Sequence, residues 1–351
     1  MVKVLIVDDS AFMRNALANM LSSDPELKVV GTARDGVEAV EKTALLKPDV
    51  VTMDVEMPRM DGIEALRLIM DKTPVPVIMV SSLTVEDAKV TLEALELGAV
   101  DFIPKNLSDL SINIVKIKAT LVEKVKLIAK KGLPQRRRRT PLSETRVDEA
   151  PKIIRMRSTG ERRVGIVSIG TSTGGPRALQ DIIPLLPRDF PVPIVIAQHM
   201  PASFTKPFAE RLNQLSQIAV KEAEEGEAVK AGIVYIAPGR GHMQVKRPRG
   251  IETILTISEH LEEFIYRPSV DFLMQSIAEF FPGRALGVIL TGMGNDGAKG
   301  MTAMKRTGCR IFAQNEETCV VYGMPKAVVD AGLADKVLSI EEMAGEIVNA
   351  V

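Results

Sequence analysis

The chain has 351 residues, and at roughly 150 residues per domain this length predicts two domains, each able to bury its own core. Lys plus Arg and Asp plus Glu both number 45, so the formal net charge is zero and gives no overall attraction to nucleic acid or anionic membranes. Cys309 and Cys319 are too few for a disulfide framework and lack the spacing of zinc ligands. The N-terminus becomes acidic at Asp8, too early for a signal peptide, and no apolar run reaches the roughly 20 residues of a membrane helix. We therefore expect a cytoplasmic protein with reduced thiols, no nucleic-acid partner and no membrane insertion.

In the N-terminal part, short runs rich in Val and Ile alternate with longer amphipathic stretches, which is typical of a parallel sheet wound by helices. The runs are VKVLIV (2–7), KVVGTA (28–33), DVVTM (49–53), VPVIMV (75–80) and AVDFI (99–103). They predict a compact doubly wound domain over residues 1–125.

Residues 126–162 are predicted to form a linker, because from Lys130 the pattern gives way to prolines and like charges that leave little to pack. Strand–helix alternation resumes in a second domain over residues 163–351. Its strand-like runs are RVGIVSIG (163–170), PIVIAQ (193–198), ALGVIL (285–290) and CRIFAQ (309–314). Residues 226–257 instead alternate polar and apolar positions around Gly and Pro, which predicts a small antiparallel insertion. The expected fold class is α/β, with two doubly wound parallel-sheet domains.

Polar side chains stand at four strand ends of the first domain. Strand 1 ends in Asp8 and Asp9, strand 3 in Asp54 and strand 4 in Ser81, and Lys105 follows strand 5. Open parallel sheets bind ligands at this edge, and three neighbouring carboxylates repel each other unless a cation such as Mg²⁺ lies among them. With Mg²⁺ bound, the charge of a phosphoryl group on Asp54 would be shared by the metal, Lys105 and Ser81. The pattern therefore predicts an aspartyl phosphate.

Any one of these residues taken alone is more often a turn former, a helix cap or a solvated surface charge. Their agreement at four strand ends favours function. The segments VDDS, MDVEMPRMDG, MVSS and DFIPK resemble a bacterial response-regulator receiver domain over about residues 1–125. The resemblance implies that Asp54 is the phosphoryl acceptor and lies beside Mg²⁺ with Asp8, Asp9 and the backbone carbonyl of Glu56.

The same resemblance implies a switch in this domain. Ser81 would be the switch hydroxyl, Lys105 the phosphate contact, and Phe102 occupies the aromatic switch position.

A serine stands at a predicted strand–helix turn of the second domain. Ser172 is the centre of Gly170–Gly174 (GTSTG), a G-x-S-x-G arrangement in which small residues permit a tight turn and expose the serine hydroxyl. Such a hydroxyl needs a base, and histidine is the usual one. Of the three histidines, His199 follows the strand PIVIAQ at the same sheet edge, whereas His242 lies in the predicted insertion and His260 in a charged stretch.

The acid of this candidate triad is Asp296, which lies in a glycine-rich turn after the strand ALGVIL at the same edge. Each member has a bland alternative, since Ser172 and Asp296 could be helix caps and His199 a loop histidine. A second alternative is a dinucleotide site, because Gly292, Gly294 and Gly297 form a GxGxxG pattern with Glu316 at the distance of a ribose-binding acid. The carboxylate of Asp296 inside that loop would repel a pyrophosphate, which disfavours this alternative.

The order Ser, His, Asp differs from that of the α/β-hydrolases. The segments IGTSTGGP, QHMP, YIAPG, RPSVD and LTGMGNDGA, over about residues 164–345, are similar to the protein-glutamate methylesterases of bacterial chemotaxis. The resemblance implies Ser172 as nucleophile, His199 as base and Asp296 as orienting acid, with Thr173 and Met293 beside the substrate. Two departures concern the substrate groove: Tyr266 stands where we expect histidine before RPSVD, and residues 239–241 (GRG) precede His242.

The resemblance thus implies a flavodoxin-like receiver and a Rossmann-like catalytic domain that together hydrolyse glutamate methyl esters under the control of phosphorylation. It implies chemotaxis receptors as substrates, a chemotaxis histidine kinase as phosphodonor, and glutamine deamidation as a second activity. It also implies Mg²⁺ for phosphorylation and no cofactor for the esterase reaction, as well as a receiver that covers the catalytic site until it is phosphorylated.

Two other classes of function stay open at this stage. In a transcription factor the receiver would control DNA binding, but the C-terminal half lacks a compact helix-turn-helix pattern and the arginine run 136–139 lies in the predicted linker. In a signalling adaptor the second domain would bind receptors without turnover.

Overall fold

The structure, a computed structural model, describes residues 1–105, 114–133, 164–248, 252–259, 264 and 266–351. Side chains 114–117 are outside this description. Within these ranges, no helix combines the length and the apolar composition needed to cross a lipid bilayer.

The N-terminal domain alternates strands and helices along the whole of its described chain. Its strands are β1 (Val2–Val7), β2 (Leu27–Ala33), β3 (Val50–Asp54), β4 (Val77–Ser81) and β5 (Asp101–Pro104). Its helices are α1 (Ala11–Ser22), α2 (Gly36–Leu46), α3 (Gly62–Lys72), α4 (Val85–Leu97) and α5 (Ile114–Lys131).

These strands form one parallel sheet in the order β2-β1-β3-β4-β5, which is the flavodoxin-like doubly wound order and confirms the predicted fold of this domain. Every residue of β3 and β4 is buried, as expected for central strands covered by helices on both faces. Four of the helices begin at a side chain that accepts a backbone N–H of the first turn, which fixes where each strand-to-helix loop ends. These caps are Ser10, Asp35, Asp61 and Thr84.

The C-terminal domain follows the same alternation with one interruption. Its strands are β6 (Ile166–Thr171), β7 (Ile194–Gln198), β8 (Ala219–Glu222), β9 (Ile233–Ile236), β10 (His242–Lys246), β11 (Ile254–Ser258), β12 (Ala285–Ile289), β13 (Arg310–Gln314) and β14 (Lys336–Leu338). Its helices are α6 (Gly175–Ile182), α7 (Ala202–Leu215), α8 (Val270–Phe280), α9 (Ala298–Arg306), α10 (Met324–Asp330) and α11 (Ile340–Ala350).

Apart from β10 and β11, these strands form a parallel sheet in the order β14-β13-β12-β6-β7-β9-β8, and β10 pairs with β11 in a separate antiparallel hairpin. The predicted α/β class with a small antiparallel insertion is confirmed. The extent of the insertion was predicted too broadly, because β9, within the segment GIVYIAP, pairs in parallel with β7 and β8 in the main sheet. Burial of β9 on the helix-covered sheet outweighs the local alternation of polar and apolar residues that suggested a hairpin.

The two domains are in direct contact through several elements. Helices α4 and α7 pack together. Between them, Nε and Nη2 of Arg211 donate to the two carboxylate oxygens of Glu96 at 2.6 and 2.7 Å. The ring of Phe102, in β5, stacks on Phe204, in α7, with centroids 4.5 Å apart. Lys131, at the end of α5, donates to the backbone carbonyl of Glu316. Apolar, aromatic and charged contacts therefore hold the domains against each other.

The boundaries between the domains remain a prediction. Helix α5 continues to Lys131, past the predicted start of the linker at residue 126, and residues 134–163 lie outside the described chain together with the arginine run 136–139.

Candidate active site and phosphorylation site

The candidate nucleophile stands on the turn between β6 and α6. The N–H of Ser172 donates to the carbonyl of Thr291 at 3.0 Å, and its own carbonyl accepts the N–H of Gly175 at 2.8 Å. Gly174 has a φ of +75°, and a Cβ at this position would lie 2.6 Å from Val320. Only glycine fits this left-handed, crowded position without strain, so the turn holds the half-buried Ser172 at the carboxyl edge of the sheet.

His199 follows β7 at the same edge and lies between the serine and the acid. Its Nδ1 is 3.1 Å from Ser172 Oγ, and its Nε2 is 2.7 Å from Asp296 Oδ2. A carboxylate can only accept, so the network assigns the ring proton to Nε2 and leaves the Nδ1 lone pair for the serine hydroxyl. The ring nitrogens have exchanged the roles they play in the chymotrypsin triad, where Nε2 faces the serine.

Asp296, in the loop before α9, is buried against the N-terminal end of helix α8. Its Oδ2 accepts the N–H of Val270 at 2.8 Å, and its Oδ1 accepts the N–H of Asp271 at 2.9 Å and the hydroxyl of Ser269 at 3.2 Å. Burial alone would raise the pKa of Asp296, but the bond and charge of His199 and these N–H donors outweigh it and hold the pKa below its ordinary value. The acid therefore stays ionised beside the imidazole.

Asp271 and Ser269 are site residues that the sequence reasoning quoted in RPSVD but did not assign a role. One carboxylate oxygen of Asp271 accepts the N–H groups of Gly297 and Gly300, at 2.9 and 2.7 Å. Burial raises the pKa of Asp271, and the nearby charge of Asp296 adds to the rise. Asp271 thus ties the start of α9 to α8, and fixes the loop that carries Asp296.

His242 is fully buried in β10 and does not face the serine. Its Nδ1 accepts the N–H of Ser269 at 3.1 Å, and its ring packs against Phe264 and Phe272. Burial, together with the charge of Arg267, lowers the pKa of His242, so the ring is neutral at physiological pH. His260 lies outside the described residues.

Three further residues lie next to members of the triad or in the loops that carry them. Thr173 is buried, and its hydroxyl has no hydrogen-bond partner among the described residues. Met293, in the loop before Asp296, packs against an apolar cluster that joins Val320 and Val321 to residues of the N-terminal domain. The ring of Tyr266, where we expected histidine, lies parallel to the imidazole of His199 with centroids 4.7 Å apart and an interplanar angle of 3°.

The loop from Gly292 to Gly297 supplies Asp296 to the triad and packs against the serine turn. A Cβ on Gly292 would lie 2.9 Å from the Cβ of Ser172, so the glycine allows the close approach of the serine turn. Asp296 inside this loop faces His199, and its carboxylate stands where a dinucleotide phosphate would have to approach. The arrangement therefore favours the triad over a nucleotide site.

The acidic cluster of the N-terminal domain forms at the carboxyl edge of its sheet. Asp8, Asp9 and Asp54 each offer a carboxylate oxygen, and these oxygens lie within 4.8 Å of one another. Lys105 Nζ is 2.6 Å from Asp54 Oδ2 and 3.0 Å from Asp8 Oδ2. One ammonium group for three carboxylates leaves an excess of negative charge in a set of oxygen donors, which fits a divalent cation such as Mg²⁺.

Burial is the largest influence on Asp54 and raises its pKa to about 6, although the ammonium of Lys105 and the N–H of Val55 act in the opposite direction. The charge of Asp8 adds to the rise. Burial would lower the pKa of Lys105, but Asp54 and Asp8 raise it above its ordinary value. The ionised form of Asp54 is thus destabilised in this cluster, and a further positive charge among the carboxylates would offset that effect.

The other predicted receiver residues lie close to this cluster or on the domain interface. Ser81 is buried at the end of β4, where its Oγ lies 2.8 Å from the hydroxyl of Thr91 in α4. Phe102 is buried against Phe204 of the C-terminal domain. Glu56 follows two residues after Asp54 with an exposed side chain, and the part played by its carbonyl stays a prediction.

The C-terminal fold and site define a serine hydrolase, and the N-terminal domain has the sheet and acidic edge of a phosphoryl-accepting regulator. The chain matches the model of the family described as CheB methylesterase over residues 167–347 and that of the response regulator receiver domain over residues 4–114. The chain belongs to the CheB methylesterase family and carries a receiver domain at its N-terminus.

Known relatives resemble the chain over its whole length. It is 53% identical over 368 residues to the protein-glutamate methylesterase/protein-glutamine glutaminase 1 of Oleidesulfovibrio alaskensis, with 100% of both chains covered. It is 48% identical to the protein of the same activities from Lawsonia intracellularis, with 100% of this chain and 99% of that one covered. The crystal structure of the CheB methylesterase catalytic domain of Thermotoga maritima matches with a TM-score of 0.52 and 47% identity, over 54% of this chain and 99% of that one.

Proposed function

We propose that this chain hydrolyses glutamate methyl esters on chemotaxis receptors with release of methanol, and also deamidates receptor glutamines, under the control of phosphorylation at Asp54. The observation that carries the proposal is the contact of His199 with both Ser172 and Asp296, at 3.1 and 2.7 Å. Full-length relatives that are named protein-glutamate methylesterase/protein-glutamine glutaminase support the choice of substrate.

In the proposed reaction, Ser172 Oγ attacks the ester carbonyl while His199 Nδ1 takes the hydroxyl proton. The imidazolium forms next to the ionised Asp296, which stabilises it. His199 then returns the proton to the leaving methoxide, and methanol departs from the acyl-enzyme. A water molecule, activated by the same imidazole, attacks the acyl group and releases glutamate and Ser172. A glutamine substrate follows the same steps with ammonia as the leaving group.

Control by the receiver is supported by apolar contacts between helix α5 and loops of the C-terminal domain next to the triad. Val320 and Val321 share a buried apolar cluster with Leu121 and Val125 of α5, and Met293 packs against it. All three C-terminal residues lie beside the serine turn or in its neighbouring loops. The receiver therefore occupies space that a receptor helix would need to reach Ser172.

The charge of Glu123 on α5 gives a second sign of this closeness. Burial raises the pKa of Tyr266, and the charges of Asp296 and Glu123 add to the rise. Tyr266 is the ring that stacks on His199. Helix α5 of the receiver thus lies within electrostatic reach of the catalytic histidine's neighbour.

Phosphorylation of Asp54 would weaken the contact between the receiver and the C-terminal domain. Asp8, Asp9 and Asp54 would hold Mg²⁺, which supplies charge neutralisation for the phosphoryl group when it is bound. Asp54 is the nucleophile for the phosphoryl group, and Lys105 contacts the group once it is transferred. Movement of Ser81 and Phe102 toward the phosphoryl group would withdraw Phe102 from Phe204 and shift the population toward an open state.

The test of the activity is methanol release from membranes that carry methylated receptors. Wild type should release methanol, and Ser172→Ala should release almost none while keeping its fold, because the hydroxyl contributes little to packing. Ser216→Ala is the matched control, since it makes the same change at a half-buried serine after α7. Equal turnover by Ser172→Ala and wild type would refute the assignment of Ser172 as the nucleophile.

The same experiments separate the other classes of function. A serine-directed phosphonate that labels Ser172 has no explanation in a DNA-binding module. An adaptor would bind receptor membranes without releasing methanol. For the regulation, a small phosphodonor with Mg²⁺ should stimulate wild type and leave Asp54→Asn unstimulated, and stimulation of Asp54→Asn would place the acceptor elsewhere.

A further inference from the structure

We propose that Gln198 is a positioning residue of the esterase, which aims the backbone N–H of Thr173 at the oxyanion of the tetrahedral intermediate. The inference rests on the proposed function of Ser172 and His199. Gln198 is the last residue of β7 and is 1% exposed. Its side-chain Nε2 donates to the carbonyls of Ser172 and His199, both at 3.0 Å.

The bond to Ser172 controls the peptide group that joins this residue to Thr173. In a trans peptide the carbonyl and the following N–H point in opposite directions. The carbonyl of Ser172 is held by Gln198 and by the N–H of Gly175 at 2.8 Å. The N–H of Thr173 is therefore directed away from Gln198, and its direction is fixed by two hydrogen bonds on the other side of the peptide plane.

Thr173 is the residue after the nucleophile, and in the G-x-S-x-G turn of the α/β-hydrolases the N–H of the corresponding residue is a donor of the oxyanion hole. Across the described ranges, this N–H makes no hydrogen bond to another residue. A buried donor without a partner is unfavourable, and a developing oxyanion would satisfy it. The peptide that Gln198 holds thus presents a free donor beside the nucleophile.

The second bond ties the base to the same side chain. Because one amide nitrogen bonds the carbonyls of both catalytic residues, it couples the serine turn to the histidine turn across two neighbouring strands. The orientation of the amide is well defined, since a flipped amide would place its oxygen against two carbonyl oxygens. Gly175 makes room for it: a Cβ there would lie 2.1 Å from Gln198 Oε1.

A purely structural role would lower the stability of the C-terminal domain and leave the rate per folded molecule unchanged. A positioning role would lower the rate of the steps that pass through the oxyanion. Removal of an oxyanion donor costs about 10²–10³ in kcat, and here the donor is misdirected rather than removed. We therefore expect a loss of about tenfold to a hundredfold.

The experiment uses the full chain and compares Gln198→Met with wild type and with Ser276→Ala. Methionine keeps the volume of the side chain and removes both donors. The hydroxyl of Ser276 accepts the N–H of Val245 at 3.0 Å and donates to the carbonyl of Leu273 at 2.7 Å, so its loss removes two buried hydrogen bonds away from the triad. The readouts are the rate at which a phosphonate ester labels Ser172, kcat and KM for methanol release, and the temperature of unfolding.

Gln198→Met should be labelled about tenfold to a hundredfold more slowly than wild type, with kcat reduced by a similar factor and KM within about twofold. Ser276→Ala should unfold at a lower temperature and keep its labelling rate. If the methionine variant does not fold, the labelling rate of Gln198→Asn takes its place in the comparison, because the shorter side chain cannot reach both carbonyls.

Labelling of Gln198→Met at the wild-type rate would overturn the proposal, and so would a raised KM with unchanged kcat. An equal loss of labelling in Ser276→Ala would also overturn it, because the effect would then follow stability. If wild type is labelled at Ser172 but releases no methanol from receptor membranes, the proposed substrate is wrong, and the labelling rates still decide the role of Gln198.

Discussion

Replacement of Asp54 by asparagine is predicted to stabilise the receiver domain at neutral pH. Burial raises the pKa of Asp54 to about 6 in the folded chain, from an ordinary value of 3.8. The folded state thus holds this proton more tightly than the unfolded state, so ionisation of Asp54 opposes folding. The penalty is fully present above pH 6 and disappears as the pH falls below 3.8. A difference of about two pKa units corresponds to about 3 kcal/mol.

An asparagine amide resembles the protonated carboxyl, so its stability does not depend on this titration. The free energy of unfolding of the receiver should therefore rise by about 3 kcal/mol at about pH 7.5 and by about half as much at about pH 5. The chain has no tryptophan, and its three tyrosines all lie in the C-terminal domain, so tyrosine fluorescence reports only that domain. Amide hydrogen exchange in β1 and β3 of the intact chain, measured over a series of urea concentrations, reports the receiver.

Asp35→Asn is the control with the opposite sign. Asp35 is as buried as Asp54, and its burial would raise its pKa, but the N–H of Glu38 and the guanidinium of Arg59 lower it below the ordinary value. Its asparagine variant should be less stable than wild type at neutral pH, and the difference should vanish in acid. Mg²⁺ should stabilise wild type more than Asp54→Asn. A receiver that is less stable in Asp54→Asn at about pH 7.5, or an advantage that does not shrink at about pH 5, would refute the reasoning.

Three further predictions concern turnover on receptor membranes. His199→Ala should lower methanol release by about 10⁶-fold, whereas His242→Ala should mainly lower stability, because its neutral ring faces Ser269 rather than the nucleophile; an inactive His242→Ala beside an active His199→Ala would reassign the base. Asp296→Asn should lose about 10⁴-fold, less than His199→Ala, because the aspartate orients the imidazole without touching substrate; full activity would move the acid to another residue. Glu96→Gln should raise basal release by up to about fivefold, since its partly exposed pair with Arg211 contributes at most about 1 kcal/mol to the closed state; unchanged or lower basal release would count against a covering receiver.

The sequence by itself determined the fold class and the neighbourhood of both sites. Strand periodicity located the central strands to within three residues, and the rule that parallel sheets bind ligands at their carboxyl edge selected Asp54, Ser172 and His199 from strand ends alone. Each of these residues stands at the end of a buried apolar run, and such runs are a local property of the chain that the sequence displays directly.

Contacts between segments distant in the sequence needed the tertiary structure. Asp296 and His199 are 97 residues apart, and only the packed sheet shows that Nε2 rather than Nδ1 faces the acid. His199 and the N–H groups at the start of α8 together keep Asp296 ionised, and Gln198 makes two hydrogen bonds to the two catalytic turns. Both arrangements arise from the packing of separate strands and helices.

The same reason explains what the sequence pattern placed wrongly and what it left open. The alternation in GIVYIAP favoured a hairpin, but β9 is buried in the main sheet, and burial decides strand partners more strongly than local alternation does. The stack of Phe102 on Phe204 joins two domains across a hundred residues of chain, and no local pattern carries that information. Local chemistry therefore determined which residues could act, and long-range packing decided how they face one another and where the two domains contact each other.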